Sequence, residues 1–367
     1  MAEKAIRLGG ESTADAIVSA VDSLYPEHTF EDKEFALKHN DDEISVDTNF
    51  AAQNFWKEAL IRFFNKKSAV LGLILIAVIV LLAVFGPGMN SYTYSGQDLS
   101  QKNFAPRVPG IERLGILDGS EKMSTTTGSK SVNAYVEKGK DDVYYWFGSD
   151  LYGRDIWTRT WEGARVSLII AVAAAVIDMV IGMSYGLISG YFGGRVDMVM
   201  QRFLEVANGI PRLVIVTLLL LVLQPGMVTI IFALMLTEWV GMSRIARAEM
   251  LKLKDQEFVL ASRTLGAGSF FIIFKEVLPN IIGPIITQVM FSIPTAIFTE
   301  AFLSFVGLGI PVPQCSLGSL ISELYNSFTT HPYQIIPPMV VMSLLMMSFN
   351  LVADGLREAL DPKMKSM

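Results

Sequence analysis

The chain has 367 residues, 51% of them hydrophobic and 18% charged, with a mean hydropathy of +0.42 and a formal net charge of −6. That apolar excess excludes an ordinary soluble composition and points to a membrane protein. One cysteine, Cys315, excludes an internal disulfide framework, and the first residues lack the basic patch and apolar core of a cleavable signal peptide.

The acidity is local. Residues 1–50 hold 12 Asp/Glu against 4 Lys/Arg, a net of −8, so everything after residue 50 sums to +2. This acidic N-terminal tail reads as a solvated, partly disordered or short-helical extension, with a regulatory or docking role as the alternative. Residues 51–86 then supply a juxtamembrane helix and a first span. The stretch "SAVLGLILIAVIVLLAVF" (68–85) contains no charge, and Pro87 and Gly88 end it. At about 1.5 Å per residue it nearly crosses a ~30 Å hydrocarbon core.

Residues 87–165 form a long connector. "DGSEKMSTTTGSKS" (118–131) reads as a polar excursion with little core. "YYWFGSDLYGRDIWTRTWEGARVS" (144–167) reads as an amphipathic lead-in lying along the interface, its aromatics anchoring the next helix. Five further spans follow at 166–189, 198–223, 227–246, 280–306 and 336–352, giving six transmembrane helices in an all-α polytopic fold, with a five-helix core over 166–356 and a C-terminal tail at 357–367.

Lys/Arg placement orients them. Lys57, Arg62, Lys66 and Lys67 precede the first span; Arg195 and Arg202 separate the second and third; six more lie in the connector between the fourth and fifth. Arg357, Lys363 and Lys365 follow the last, whereas the connectors 224–226 and 307–335 contain no Lys or Arg. Both termini are therefore expected in the cytoplasm and 87–165 outside.

Enzymatic signatures are absent. No G-x-x-x-x-G-K-[ST] phosphate loop, G-x-S-x-G elbow or H-E-x-x-H occurs, and the three histidines form no metal-ligand spacing. No catalytic, cofactor or metal site is expected, and nothing suggests nucleic-acid binding. "GLISGYFGGR" (186–195) has no strand before it, so its glycines read as a tight turn and a close helix approach. Three acids, Asp178, Glu238 and Glu300, fall within spans. They are candidates either for a proton relay or for bracing the bundle and facing a wet path.

The connector 257–280, "EFVLASRTLGAGSFFIIFKEVLPN", is more than a polar link. A helix over 257–265 places Phe258, Ala261, Ser262 and Leu265 on one apolar face, and Gly266 follows where a left-handed residue closes a helix. Ser269 can cap a second helix over 270–278, and Pro279 leaves the ladder. The product is a helix–turn–helix knuckle with Arg263 and Lys275 as basic shoulders. Two readings stand: it packs on its own bundle or headgroups, or it fills a groove in a cytoplasmic partner.

This stretch resembles the "EAA" loop, E-A-A-x-x-x-G-x9-I-x-L-P, of bacterial ATP-binding-cassette importer permeases. Ala261, Ser262, Gly266, Leu278 and Pro279 fall at the matching spacing; Leu260 stands in the glutamate's place, with Glu257 nearby, and Glu276 in the isoleucine's. "FWKEALIRFFNKKSAVLGLILI", "FGSDLYGRDIWTRTWEGARVSL", "SGYFGGRVDMVMQRFLEV", "EAFLSFVGLGIP" and "FNLVADGLREALDPK" extend the resemblance over about residues 52–365, to the C-type permeases of oligopeptide and dipeptide importers.

The resemblance implies a type I importer permease fold in a bacterial cell membrane. It also implies a sister permease, two cytoplasmic ATP-binding subunits that use ATP, an external peptide-binding protein and a peptide substrate. Dipeptides, nickel chelates and glutathione are the alternative cargoes within the family, and a proton-coupled secondary transporter is the rival class.

Overall fold

The structure, a computed structural model, describes residues 55–125 and 128–360; the acidic tail 1–50 and the last seven residues lie outside the described residues. Helix α1 (Phe55–Asn65) meets α2 (Lys67–Phe85) at Lys66, whose extended backbone interrupts the ladder. Phe63 and Ala69 seat this corner on Val352 and Ala359 near the chain's end, and the Lys66 ammonium pairs with Glu358. Beyond that contact α2 shows Leu71, Ile74, Val78, Leu81 and Phe85 to the outside, an apolar face suited to lipid.

Among the described residues five helices are long and apolar enough to cross a membrane, and a bent pair, taken as one span, brings the number to six. The second span is α3 (Ile156–Phe192), which starts ten residues before the expected 166. The second half of the aromatic lead-in, from Ile156 on, is therefore the first turns of this helix. Its start is fixed by Asp155, whose carboxylate accepts the Thr158 N–H at 2.8 Å, and by the Trp157 indole, which donates to Gly86 O at 2.9 Å. Its arginine is buried because its charge is matched. Arg159 donates to Asp150 and to Glu323, both at 2.8 Å, and Arg154 holds the same two acids.

The third span is not the single segment 198–223. It is α4 (Gly194–Gly209) and α5 (Arg212–Val222), bent by 78° between them. Pro211 has no N–H to continue the ladder and drives Ile210 into extended backbone. The fourth span, α6 (Met227–Leu253), runs seven residues past 246 and lies along α3. Their contact is backbone to backbone: a Cβ on Gly186 would sit 2.1 Å from the Ser243 carbonyl oxygen. That is the close approach expected of these glycines.

The connector between α2 and α3 has a core of its own. Strands β1 (Ser120–Thr125) and β2 (Gly128–Asn133) pair antiparallel, Ser120 opposite Asn133, and directly after them Tyr135 is buried together with Phe104 and Tyr145. The Tyr135 hydroxyl donates to Ala105 O at 2.8 Å. Residues 118–131 thus make up most of a hairpin, and the aromatic cluster is built from residues outside them. Two further short helices are α7 (Glu257–Thr264) in the connector after α6 and α9 (Leu317–Tyr325), capped by Ser316. The fifth and sixth spans are α8 (Ser269–Leu308) and α10 (Ile336–Leu360).

Candidate coupling surface and intramembrane charge sites

The knuckle closes as the sequence requires. Gly266 has φ +85°, its N–H donates to Arg263 O and the Ala267 N–H to Ser262 O, each at 3.0 Å. Those two bonds satisfy the last carbonyls of α7 and fix the direction in which the chain leaves it. The second limb differs from expectation. Ser269 is already helical and Gly268 holds the cap position without a side-chain bond. The limb is no separate helix ending at Pro279, because α8 continues through it into the span. A wide turn over Ile272–Val277 shifts the hydrogen-bond register, and Pro279 falls in the first turn of the following segment, where an N–H is dispensable.

Burial divides the knuckle into two faces. Val259, Ile272, Ile273 and Val277 are fully enclosed against Leu187, Met242, Ala246 and Met250, the ends of α3 and α6. Arg263 stacks over the Tyr191 ring at 5.5 Å. This base holds the knuckle rigidly on the bundle. The other face is bare: Leu265 is 89% exposed, Phe270 75% and Phe258 39%, with Leu260 and Phe271 beside them. Of the residues matched to the loop pattern, Ala261 is exposed on the outer side, while Ser262 is half-buried and contributes its carbonyl. Glu257 and Pro279 are exposed and Leu278 is half-buried, the last two at the root of α8 and away from the tip. Of the expected face of Phe258, Ala261, Ser262 and Leu265, all but the half-buried Ser262 are exposed, and Phe270 and Phe271 are exposed as well.

The three intramembrane acids occupy different surroundings. Glu300 is fully buried and accepts from Ser167 at 3.2 Å, Ser304 at 2.7 Å and Ser316 at 2.5 Å. It ties α3, α8 and the cap of α9 together. Asp178 is buried in a wide turn of α3 and accepts from the Ser292 hydroxyl of α8. Glu238 is bound to an arginine at the start of α5. Arg212 Nη1 lies 2.7 Å from Glu238 Oε1 and donates to Thr299 Oγ1 at 3.1 Å. No hydropathy window could find this pairing, since the residues are brought together by the break before α5.

The depth of that pair matters. Arg212 starts an eleven-residue helix, and Glu238 directly follows eleven residues of α6 counted from Met227. Both helices meet the short turn between them, so the pair lies about 16 Å from it along the helices, about half the thickness of a ~30 Å core. Yet the Arg212 side chain is 42% exposed. An arginine there costs about 2.5–3.5 kcal/mol on insertion scales when it faces lipid.

Two sequence families match the chain. The profile of the "Binding-protein-dependent transport system inner membrane component" covers residues 182–366, and that of the "N-terminal TM domain of oligopeptide transport permease C" covers 54–106. The chain is 42% identical to the oligopeptide transport system permease protein OppC of Bacillus subtilis, over 85% of this chain and 91% of that protein. It is 39% identical to the dipeptide transport system permease protein DppC of the same organism, over 85% and 87%. A solved inward-facing MetNI methionine ABC transporter chain aligns to 54% of this chain and 94% of its own, at 16% identity and a TM-score of 0.47. A helical bundle of five to six candidate spans and the two matched profiles lead to one assignment: the chain belongs to the binding-protein-dependent transport system inner membrane components, as a multi-pass permease of ATP-binding-cassette importers.

Proposed function

We propose that this chain is one of two different permease subunits that together form the path of an oligopeptide importer. Two ATP-hydrolysing subunits dock on the knuckles on the cytoplasmic side, and an external binding protein delivers the peptide. One observation carries the coupling role: a rigidly seated knuckle whose outward face, Leu265, Phe270 and Phe258, has no cover among the described residues. Contiguous exposed apolar surface outside the spans marks an interaction site. The relatives' names, oligopeptide and dipeptide permeases, support peptides as the cargo class.

The mechanism follows from the continuity of α8. The second limb of the knuckle and the fifth span are one helical run, Ser269–Leu308. When ATP draws the two hydrolysing subunits together, each pushes on a knuckle, and α8 carries the displacement to the membrane middle as a nearly rigid lever. Such rigid-body motion switches the path between inward- and outward-facing states. Asp178 and Glu300, bonded to hydroxyls across helix boundaries, brace the bundle during the motion. The chain itself contributes shape and no hydrolysis.

Affinity purification of the tagged chain in mild detergent tests this reading. The expected result is one sister permease and two ATP-binding subunits in fixed ratio, with uptake of tri- to pentapeptides by the reconstituted complex. A chain that purifies alone and transports under a proton gradient would refute it.

A further inference from the structure

The Arg212–Glu238 pair, its arginine half-exposed and its glutamate largely buried, is under-used as a brace. Arg212 Nη1 serves both Glu238 and Thr299, and among the described residues neither Arg212 nor Glu238 makes another side-chain hydrogen bond except that Thr299 also reaches Glu238 Oε1, at 3.4 Å. Nε, Nη2 and Glu238 Oε2 are therefore uncommitted, on a surface near mid-membrane. Such groups cannot face hydrocarbon. Beside them runs the uncovered stripe of α8, where Thr295, one turn from Thr299, is exposed together with Phe298 and Phe302. The outer face of α2 has no polar side chain at the corresponding depth, so the two surfaces meet different media.

We infer that Arg212 lines the translocation path and binds the C-terminal carboxylate of a passing peptide, with Glu238 holding the guanidinium in place and Thr295 and Thr299 beside the peptide backbone. A guanidinium held through one nitrogen keeps its other edge free for the planar fork that a carboxylate fits. The carboxylate is common to every peptide, so this contact serves cargo of any sequence. The monodentate pair also re-forms when the peptide leaves, so binding stays weak enough for release. The inference rests on the peptide-import reading above.

The test uses the complete reconstituted importer with a radiolabelled tripeptide and its C-terminal amide, each at a concentration that saturates the delivery protein. Arg212→Gln should lower uptake of the free acid about tenfold, the scale of one charge-assisted contact, and leave the amide within about twofold. The charge-exchanged Arg212→Glu/Glu238→Arg should not restore the free acid. Loss of both probes by one factor, with both recovered on charge exchange, would overturn the inference and leave the importer reading intact. If the wild-type complex takes up neither peptide, the importer reading itself fails, and the inference with it. A second measurement keeps the native pair: Thr295→Cys on a Cys315→Ala background should react with a water-soluble methanethiosulfonate and be protected by the tripeptide. Absence of labelling means that lipid or the sister subunit covers the surface, and overturns the inference.

Discussion

Gly266 gives the sharpest test of the knuckle's geometry, because its constraint is conformational and nothing else. Its φ is +85°, and a Cβ built on it meets no heavy atom within 4 Å. Space therefore cannot explain any effect of substitution. A non-glycine residue in this left-handed region costs roughly 1–2 kcal/mol, asparagine less, and a β-branched residue more. One to two kcal/mol is about a five- to thirtyfold change in the fraction of turns held closed. An opened turn displaces Leu265 and Phe258 relative to Phe270, so the outward face no longer presents one surface. ATP-driven peptide uptake should fall in the order Gly, Asn, Ala, Val, with Gly266→Val nearly inactive, while membrane abundance and thermal stability of the bundle stay close to wild type. Uptake by Gly266→Val equal to wild type would remove the coupling role. Equal losses in Asn and Val would show that side-chain bulk decides, contrary to the reasoning.

Other outcomes follow from the packing. Gly186→Ala places a Cβ 2.1 Å from Ser243 O and 2.8 Å from Arg247 N, and α3 and α6 must part to accept it; the cost is about 1–3 kcal/mol or more, read as a lower melting temperature of the purified complex. Glu300→Gln should keep uptake and peptide preference, since an amide still accepts from the serines; Glu300→Leu leaves Ser167, Ser304 and Ser316 without that acceptor and should destabilise by about 1–3 kcal/mol in a detergent melt. Arg159→Ala strips a partner from buried Asp150 and from Glu323, and should cost about 3–5 kcal/mol, read as loss of folded protein in the membrane. Glu323 also sets a pH window. Burial raises its carboxyl, but Arg159 and Arg154 outweigh that and hold it below the ordinary value of 4.5. A depressed carboxyl contributes fully above its unfolded value and is lost as pH falls through the folded one. Thermal stability should thus show no Glu323-dependent change between pH 5 and 8, and the difference between wild type and Glu323→Gln should shrink only below about 4.5.

How much of this was legible in the residues differs from element to element. Gly266 was, because a glycine directly after a helical period has one common structural use, and the structure puts it in the left-handed region. The spans were visible as hydropathy, but their ends and bends were not. Pro211 marked the break in the third span, yet an apolar window averages straight across a bend. The early start of α3 was hidden because Arg159 looks too polar for a buried helix. Its partner Glu323 lies 164 residues away, and only the fold reveals the match. Glu238 stood out as an isolated charge, and its meeting with Arg212 depended on the same unseen break. Ser269 and Pro279 were read as a cap and a stop by local rules, which the wide turn over Ile272–Val277 overrides.

The central claim, that the outer face of the knuckle meets a nucleotide-hydrolysing partner, has one direct measurement. A photo-crosslinking residue replaces Leu265 in the full complex, with the same residue at Leu114, an exposed site in the connector between α2 and α3, as the control. Crosslinks from position 265 to the ATP-binding subunit, changing in yield with ATP and absent from position 114, are the predicted result. Crosslinks from 265 only to lipid or to this chain itself would contradict it.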